Sequence, residues 1–505
     1  MSIPLPSRSL LLRALSPAAC GVVALVLSVP LAAQEEEVVK QLNFNIQNTR
    51  VTENNKSYRT LFDAALDLTA APSQSGKADG WFNLNTISPS MPDWDKTRDW
   101  AETNAQMRNA LLACRDRLLI GLPYGAGIDE KYRAGGMYAD VAVDGNLRVQ
   151  DFAYLQAMDT IAAYATAECH RLAEAGRAGD ALELAYAEIY VLDQLMKQQY
   201  QVEVLHGMEL LTDFLAVLRD LMYTHFDAFS LNEFVSDGYD GPDGKARKGI
   251  SYELPYLRID LLELPKGDYI SAKALVDEAF GGADRADEDR FASMYARIQA
   301  DERPLTQFGA ARRWRLVARV HGSYRATDDQ LRIVFEDWQR RWGIRAWHQY
   351  LDLRPQYDRT NPVRYAAVTY SMRNINEIFP ARRELIAAVN GTALAAALCG
   401  YRKQFGKYPD DLEKVYAVFI RKRQDVDPYD KNGRGFGYRY VSGSTGIVVQ
   451  GLDDFVSVKD SGLLWARGLD YTSNRGETHS EDGLIGDIVF WPPFRALARE
   501  QGLLN

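Results

Sequence analysis

The chain has 505 residues, so its length alone predicts two to four domains rather than one core. A hydrophobic content of 47% and a charged content of 25% are those of a folded soluble protein. The formal net charge is −9 and no basic domain stands apart from the rest. This balance argues against nucleic acid as a partner, because phosphate binding requires clustered Lys and Arg.

The N-terminal segment has the layout of a bacterial export signal. Arg8 and Arg13 precede an apolar run from Ala14 to Ala33, and an acidic stretch follows. We expect cleavage after Ala33, which makes residues 1–33 a signal peptide and the mature protein periplasmic or extracellular. The alternative is an uncleaved anchor, since roughly 20 apolar residues can cross a bilayer. Only in that case would the protein be attached to the membrane.

Three cysteines remain after removal of the signal: Cys114, Cys169 and Cys399. An odd and sparse set is not a disulfide framework, although two of them could pair in an oxidising compartment. Cys399 lies among alanines on an apolar helix face, where we expect it to be buried. The chain has no CxxC motif and six histidines, and this does not support a zinc site.

Residues 34–380 are predicted to form a helical region. The polar residues 34 to about 60 indicate an extended or partly ordered lead-in. Apolar residues then recur three and four positions apart, most strongly over residues 151–225, as in helices with a buried face. The region lacks a sustained repeat, so we expect a multi-helix bundle or an irregular helical solenoid, with a loop break near 236–249.

Two local signals mark the ends of helices in this region. Gly176 predicts the C-terminal stop of one helix. Asp180 offers an N-cap for the next helix, with Glu183 three residues later completing a capping box.

Arginine and tryptophan alternate in two segments of the helical region. The residues are Arg312, Arg313, Arg315 and Arg319 around Trp314, and Arg340, Arg341 and Arg345 among Trp338, Trp342 and Trp347. One interpretation is a basic-aromatic groove. The other, which we favour, is amphipathic helices whose tryptophans pack inward while the arginines remain in water.

Residues 381–505 are predicted to form a small α+β domain. An apolar stripe at helical spacing runs over Ile386–Phe405 and stops at Gly406. The strands GYRYV (437–441) and GIVVQ (446–450), joined by Ser-Gly-Ser-Thr, predict a hairpin. The runs GLLWARG and GDIVFWPP predict two further strands, so that one long helix precedes a small antiparallel sheet.

The C-terminal motifs carry a resemblance to a known family. The apolar helix ends in YRKQFGKYPDDL, DVDPYDKNGRGFGYRY follows, and the chain closes with LLWARGLD and GDIVFWPP. This order resembles the head of the major pseudopilin of type II secretion. It is more similar still to a group of exported planctomycete proteins of unknown function, which join a long helical region to the same ending. The resemblance of motifs covers about 125 residues and implies a pseudopilin-like head.

One departure from the pseudopilins bears on function. Their long helix follows a processed leader and packs in the fibre, whereas here the corresponding helix is internal and lacks the Gly-Phe-Thr-Leu-x-Glu start. We therefore do not expect this chain to polymerise as a pilin, since a shared fold does not transfer function.

The resemblance also implies a metal site. In the pseudopilins the loop before the final Asp-Ile binds calcium, and residue by residue this implies Asp470 and Asp487, with Ser473 and Asp482, as ligands. The loop here is longer and contains an arginine and a histidine, which departs from the family pattern. Calcium prefers six to eight oxygen ligands, and packed carboxylates would repel one another without a cation. The alternative is a solvated acidic loop in which Asp487 caps a turn.

Three functions remain open at this stage. The chain has no Gly-x-Ser-x-Gly, no His-Glu-x-x-His, no phosphate-binding glycine loop and no Cys–His signature. We therefore expect an exported, non-catalytic binding or structural protein of the cell envelope, with an unknown protein or envelope partner. The first alternative is an enzyme that uses paired carboxylates on an extracellular glycan, with the loop from Trp81 to Trp100 lining a sugar groove. The second is an accessory component of a secretion assembly, by analogy with the pseudopilin.

Overall fold

The fold was analysed in a computed structural model of the chain. The structure describes residues 28–46, 51–72, 84–241, 244, 246–302, 307–416, 418–420, 426–449, 455–478 and 486–504. Most of the predicted signal peptide, residues 1–27, lies outside the described residues. The described chain is mostly helical and has a small antiparallel three-stranded sheet near its C-terminus, which confirms the predicted class.

The helices up to the loop break are α1 (Ser28–Ile46), α2 (Tyr58–Leu66), α3 (Trp94–Thr103), α4 (Ala105–Cys114), α5 (Glu130–Ala134), α6 (Tyr154–Glu174), α7 (Ala178–Leu195), α8 (Gln201–Thr224) and α9 (Leu231–Val235). Those that follow are α10 (Ile250–Glu253), α11 (Gly267–Phe280), α12 (Glu288–Glu302), α13 (Gln307–Val320), α14 (Tyr324–Gly343), α15 (Gln356–Arg359), α16 (Ala366–Ser371), α17 (Ile378–Phe405) and α18 (Phe494–Glu500). The strands are β1 (Tyr239–Asp240), β2 (Ala246–Arg247), β3 (Gly437–Val448), β4 (Phe455–Ala466) and β5 (Ile488–Trp491).

Helices α6, α7 and α8 pack against one another and form the centre of the helical region. Their apolar side chains, such as Met158, Leu192 and Leu211, are fully buried. Gly176 follows α6 with a φ of +73°, as its predicted role of helix stop requires. Helix α8 is apolar on more than one side because it contacts both α7 and α17.

The first described residues differ from the prediction. The expected extended lead-in is instead α1, which packs against α11. Val38 and Leu42 are buried, and they lie four positions apart on one helical face. The Asn43 side chain donates to the carbonyl oxygen of Tyr124 at 3.1 Å and accepts from its N–H at 2.9 Å. Two buried apolar side chains and the hydrogen bonds of Asn43 therefore hold this otherwise polar helix against the core.

The predicted capping box at Asp180 is also wrong. Helix α7 already begins at Ala178, and the Asp180 carboxylate instead accepts a hydrogen bond from Arg177 Nε at 2.7 Å. An acid in the first turn is favourable whether or not it caps, because it faces the positive end of the helix dipole.

The alternation of arginine and tryptophan marks amphipathic helices, as we favoured. The buried tryptophans of these helices are Trp314, Trp338 and Trp342. Arg319, on the exposed face of α13, pairs with Glu288 at 2.9 Å. Arg341 is the exception, since it is buried and pairs with the buried Asp337 at 2.8 Å.

Helix α17 belongs to both parts of the molecule. It packs against α8, α9 and α10 and also against β4 and β5. Among the described residues it is the one helix long and apolar enough to cross a membrane, and 78% of its apolar window is buried inside the protein. Gly406 ends it with a φ of +73°, as predicted, and donates its N–H to the Arg402 carbonyl oxygen at 2.8 Å.

The sheet has the order β3-β4-β5 and is antiparallel throughout. The predicted hairpin between residues 437–441 and 446–450 is wrong, because residues 437–441 and 446–448 belong to the single strand β3, which pairs with β4. A register shift between Val441 and Ser444 absorbs the residues that we expected to turn, and Gly443 there has a φ of +77°. Small and turn-forming residues within a strand mark a β-bulge as readily as a turn.

The C-terminal unit packs against the helical region through a buried interface. Arg499 of α18 pairs with Asp220 of α8 at 2.6 Å. Where α17 crosses β5, a side chain at Gly391 would overlap the Phe490 ring, so only glycine permits this approach. The sheet is thereby held against the helices by close packing as well as by charge.

Candidate metal site

The acidic loop connects β4 to β5 and is brought together by their pairing. Ala466 at the end of β4 lies opposite Ile488 at the start of β5. Asp487, which precedes Ile488, is therefore placed beside the first residues of the loop. Residues 467–478 and 486–487 of this loop are described, and the predicted ligand Asp482 lies outside them.

Asp487 is the most unusual side chain of the loop. It is 1% exposed, and its Oδ2 accepts a hydrogen bond from the Gly476 N–H at 2.7 Å. Its Oδ1 is buried and has no hydrogen-bond partner among the described residues. Burial raises the pKa of Asp487 to about 6, hydrogen bonds from the backbone N–H groups of Gly476 and Asn474 and the positive charge of Arg467 oppose that rise, and the negative charge of Asp470 adds to it. A buried carboxylate oxygen without a partner is destabilising unless something else satisfies it.

Asp470 lies close enough to Asp487 for its charge to act on it, as the resemblance implies. Its carboxylate accepts from the Thr472 N–H at 3.0 Å and from Asn474 Nδ2 at 2.8 Å, which folds the loop into a compact turn. Tyr471 and Arg475 have φ values of 58° and 60°, left-handed conformations that bend the chain back toward β5. The Asp470 carboxylate is thus held by its own turn, and its negative charge acts on Asp487.

Ser473 does not join this pair in the structure. Its side chain is exposed, and its hydroxyl oxygen accepts a hydrogen bond from Trp465 Nε1 at 3.0 Å. A hydroxyl oxygen has two lone pairs, so Ser473 could still coordinate a metal ion while it accepts this hydrogen bond.

Arg467 has a role that the sequence motifs did not predict. Its guanidinium contacts the carboxylates of Asp427 at 3.0 Å and Asp430 at 3.1 Å, and its backbone N–H donates to Asp427 at 2.9 Å. Asp427 is fully buried and belongs to the DPYDKNG turn. The positive charge at the start of the acidic loop is therefore bound to this turn. The signal in the sequence is the pair of aspartates in the DPYD turn together with the arginine that follows β4. These residue types could have indicated the ion pairs between Arg467 and the turn.

A second pair of the quoted motifs also meets. Tyr408, from the Tyr-Pro that follows α17, accepts a hydrogen bond at its hydroxyl from Trp491 Nε1 at 3.0 Å. Both residues are buried. Side chains thus connect YPDDL to FWPP, and Arg467 connects DPYD to LLWARG.

The donor set at the acidic loop suits a hard cation. Asp487 Oδ1 and the Asp470 carboxylate provide oxygens, the atom type that calcium prefers, and the remaining ligands would be backbone carbonyl groups, hydroxyls and water. Within the described residues no group of three or more His, Cys, Asp or Glu side chains is gathered as a metal-binding cluster. Two carboxylates on a loop are compatible with a calcium site that uses backbone oxygens for the rest of its shell.

Comparisons of the chain with protein-family models, with curated proteins and with solved structures found no match. The pseudopilin resemblance therefore stands on the quoted motifs alone.

Proposed function

We propose that this chain is an exported, non-catalytic binding or structural protein of the cell envelope, in which a helical bundle or irregular solenoid carries a pseudopilin-like head. Its N-terminal segment supports export. The observation that bears most on its role is the position of α17, because this helix is buried between the helical region and the sheet. A helix enclosed in this way is not free to pack against other subunits in a fibre.

Calcium has a structural role in this proposal. The buried Oδ1 of Asp487 has no hydrogen-bond partner among the described residues, and the negative charge of Asp470 acts on the same carboxylate, so a cation bound in this loop would be favourable. A bound ion would satisfy the buried oxygen and fix the loop against β5. The ion would therefore stabilise the head rather than take part in a reaction.

Thermal unfolding of the full chain, with calcium and with excess chelator, tests this proposal. The full chain is required because α17 packs into both parts. At a calcium concentration one hundred times its Kd, the free energy of unfolding should rise by about 2.7 kcal/mol. Asp487→Asn should abolish the rise, whereas Asp116→Asn, an exposed acid at the end of α4, should retain it. Coincident curves with and without calcium would remove the ion from the account of this fold.

The two alternatives remain predictions. Two tryptophans of the suggested sugar-binding loop are not available for a groove. Trp94 and Trp100 are buried, and their Nε1 groups donate to Glu174 and to the Thr69 carbonyl oxygen, both at 2.9 Å. Release of reducing ends from envelope glycans tests the enzyme, and co-purification of inner-membrane secretion proteins tests the accessory role.

A further inference from the structure

A cleft in the helical region is lined by side chains of both charges. Its volume is about 540 Å³, and it lies between the start of α8, the loop before α6 and the segment that leads into α17. Its charged and polar lining includes Arg148, Gln201, His206, Glu209, Arg373 and Glu377. None of these residues belongs to the acidic loop, so the cleft is a separate site.

One wall of the cleft is a face of α8. His206 and Glu209 are three positions apart and therefore lie side by side on this helix. His206 Nε2 lies 2.7 Å from Asp159 Oδ1 of α6, a charge contact without the geometry of a hydrogen bond.

The other wall is tied together by backbone contacts. Arg373 donates from Nη2 to the carbonyl oxygen of Arg148 at 2.8 Å, which joins the loop before α6 to the segment before α17. The Tyr357 hydroxyl donates to the carbonyl oxygen of Met372 at 3.3 Å and holds the residue next to Arg373. The guanidinium of Arg373 is thereby positioned at the cleft before any ligand binds.

The charges of the two walls are not paired with each other. Within the described residues no ion pair joins Arg373 to Glu209 or Glu377, although these opposite charges line the same cleft, and the Arg373 charge acts instead on the buried Asp268. Elsewhere the chain pairs such groups closely, as Arg115 does with Glu183 at 2.8 Å. Burial raises the pKa of Glu209, His206 opposes that rise, and the negative charges of Asp213 and Glu377 add to it, so the acidic side of the cleft carries several neighbouring negative charges.

We propose that this cleft binds a small zwitterion of the α-amino acid or short-peptide class. The ligand carboxylate would lie on the Arg373 guanidinium, and the ligand ammonium group would lie between Glu209 and Glu377. A guanidinium is the preferred partner for a carboxylate, and charge-assisted hydrogen bonds are the strong ones. A simple anion would meet the two glutamates, a simple cation would meet the arginines, and a neutral sugar would leave both sets of charges without a partner.

This inference rests on the proposed binding role and gives it a ligand class. It shares no residue with the calcium proposal, so the two can fail separately.

Isothermal titration of the full chain with the dipeptide L-alanyl-L-alanine tests the inference. The N-acetylated and the C-amidated dipeptides are the matched ligands, because each lacks one charge. We expect the dipeptide to bind and each blocked form to bind roughly tenfold more weakly or worse. Equal binding of all three forms, or no binding of the dipeptide, overturns the proposal.

Variants then assign the two ends of the ligand. Glu209→Gln keeps the shape of the side chain and removes its charge, so it should weaken binding of the dipeptide while leaving binding of the N-acetylated form unchanged. Arg373→Gln should weaken the dipeptide while leaving the C-amidated form unchanged, and Arg373→Lys should restore part of the affinity. Glu130→Gln, an exposed glutamate of α5 outside the cleft, should bind as the unchanged protein does. If a neutral disaccharide binds and Glu209→Gln abolishes that binding, the cleft is a glycan site and the proposal is wrong.

Discussion

Glu188 offers the most direct test of the physical reasoning. It lies in the middle of α7 and is fully buried, and neither of its carboxylate oxygens has a hydrogen-bond partner among the described residues. Burial raises the pKa of Glu188 from 4.5 to about 8. At neutral pH this carboxyl group is therefore protonated in the folded protein and ionised in the unfolded chain.

The size of the effect follows from this difference. A folded-state pKa above the unfolded one means that the contribution to stability is present below pH 4.5 and is lost as the pH rises toward 8. The loss is about 1.4 kcal/mol for each pH unit. At pH 7 the ionisation of Glu188 therefore favours the unfolded chain by about 3 kcal/mol, and the effect levels off near 5 kcal/mol above pH 8.

Replacement by Gln tests this value. Gln is as polar as the protonated acid and has nearly the same shape, but it does not ionise. We expect Glu188→Gln to be more stable than the unchanged protein by about 3 kcal/mol at pH 7, with the difference shrinking toward zero near pH 5. Urea unfolding at pH 5, 6, 7 and 8 measures the difference, and Glu130→Gln on the surface is the control.

The opposite result would be equally informative. If Glu188→Gln is less stable at every pH by a constant amount, the carboxylate is ionised in the folded protein and is held by a partner such as a bound ion or water. The account of Glu188 as a neutral buried acid would then be wrong.

Two further predictions concern buried contacts between elements. His170 Nδ1 lies 3.3 Å from His225 Nε2, and burial, with the charges of His225 and Arg499, lowers the pKa of His170 well below 6.5. The unfolded chain therefore binds a proton at this residue more readily than the folded protein does, so the protein loses stability as the pH falls below 6.5. His170→Gln should flatten the decrease in the urea midpoint between pH 7 and 5. An equally steep decrease in the variant would exclude this histidine as the cause. Gly391→Ala should lower the free energy of unfolding by about 1–3 kcal/mol, because its Cβ would overlap the Phe490 ring, whereas Gly343→Ala, at the open end of α14, should be neutral or slightly stabilising. Equal stability of the two alanine variants would show that β5 can move away from α17.

Local sequence determined the helices and their stops. The apolar spacing in α6, α8 and α17 predicts them because a helix buries residues three and four apart, a property of the chain itself. Gly176 and Gly406 end two of these helices for an equally local reason, since the left-handed conformation is accessible to glycine without strain. The same logic failed for α1, where the buried Val38 and Leu42 are too few to stand out from a polar composition.

Only the tertiary structure decided what the polar residues do. The serine-glycine segment of β3 forms a bulge rather than a turn because β4 pairs with the residues on both sides of it. The local sequence of β3 carries no information about this pairing strand. Asp470 and Asp487 were implied as a pair by resemblance, but the buried and unpartnered Oδ1 of Asp487 depends on the pairing of β4 with β5. Arg373 and Glu209 share a cleft although they are far apart in sequence, because the packing of α17 on α8 brings their segments together. The sequence determines which residues are charged, whereas their burial and the distances between them depend on how the chain packs.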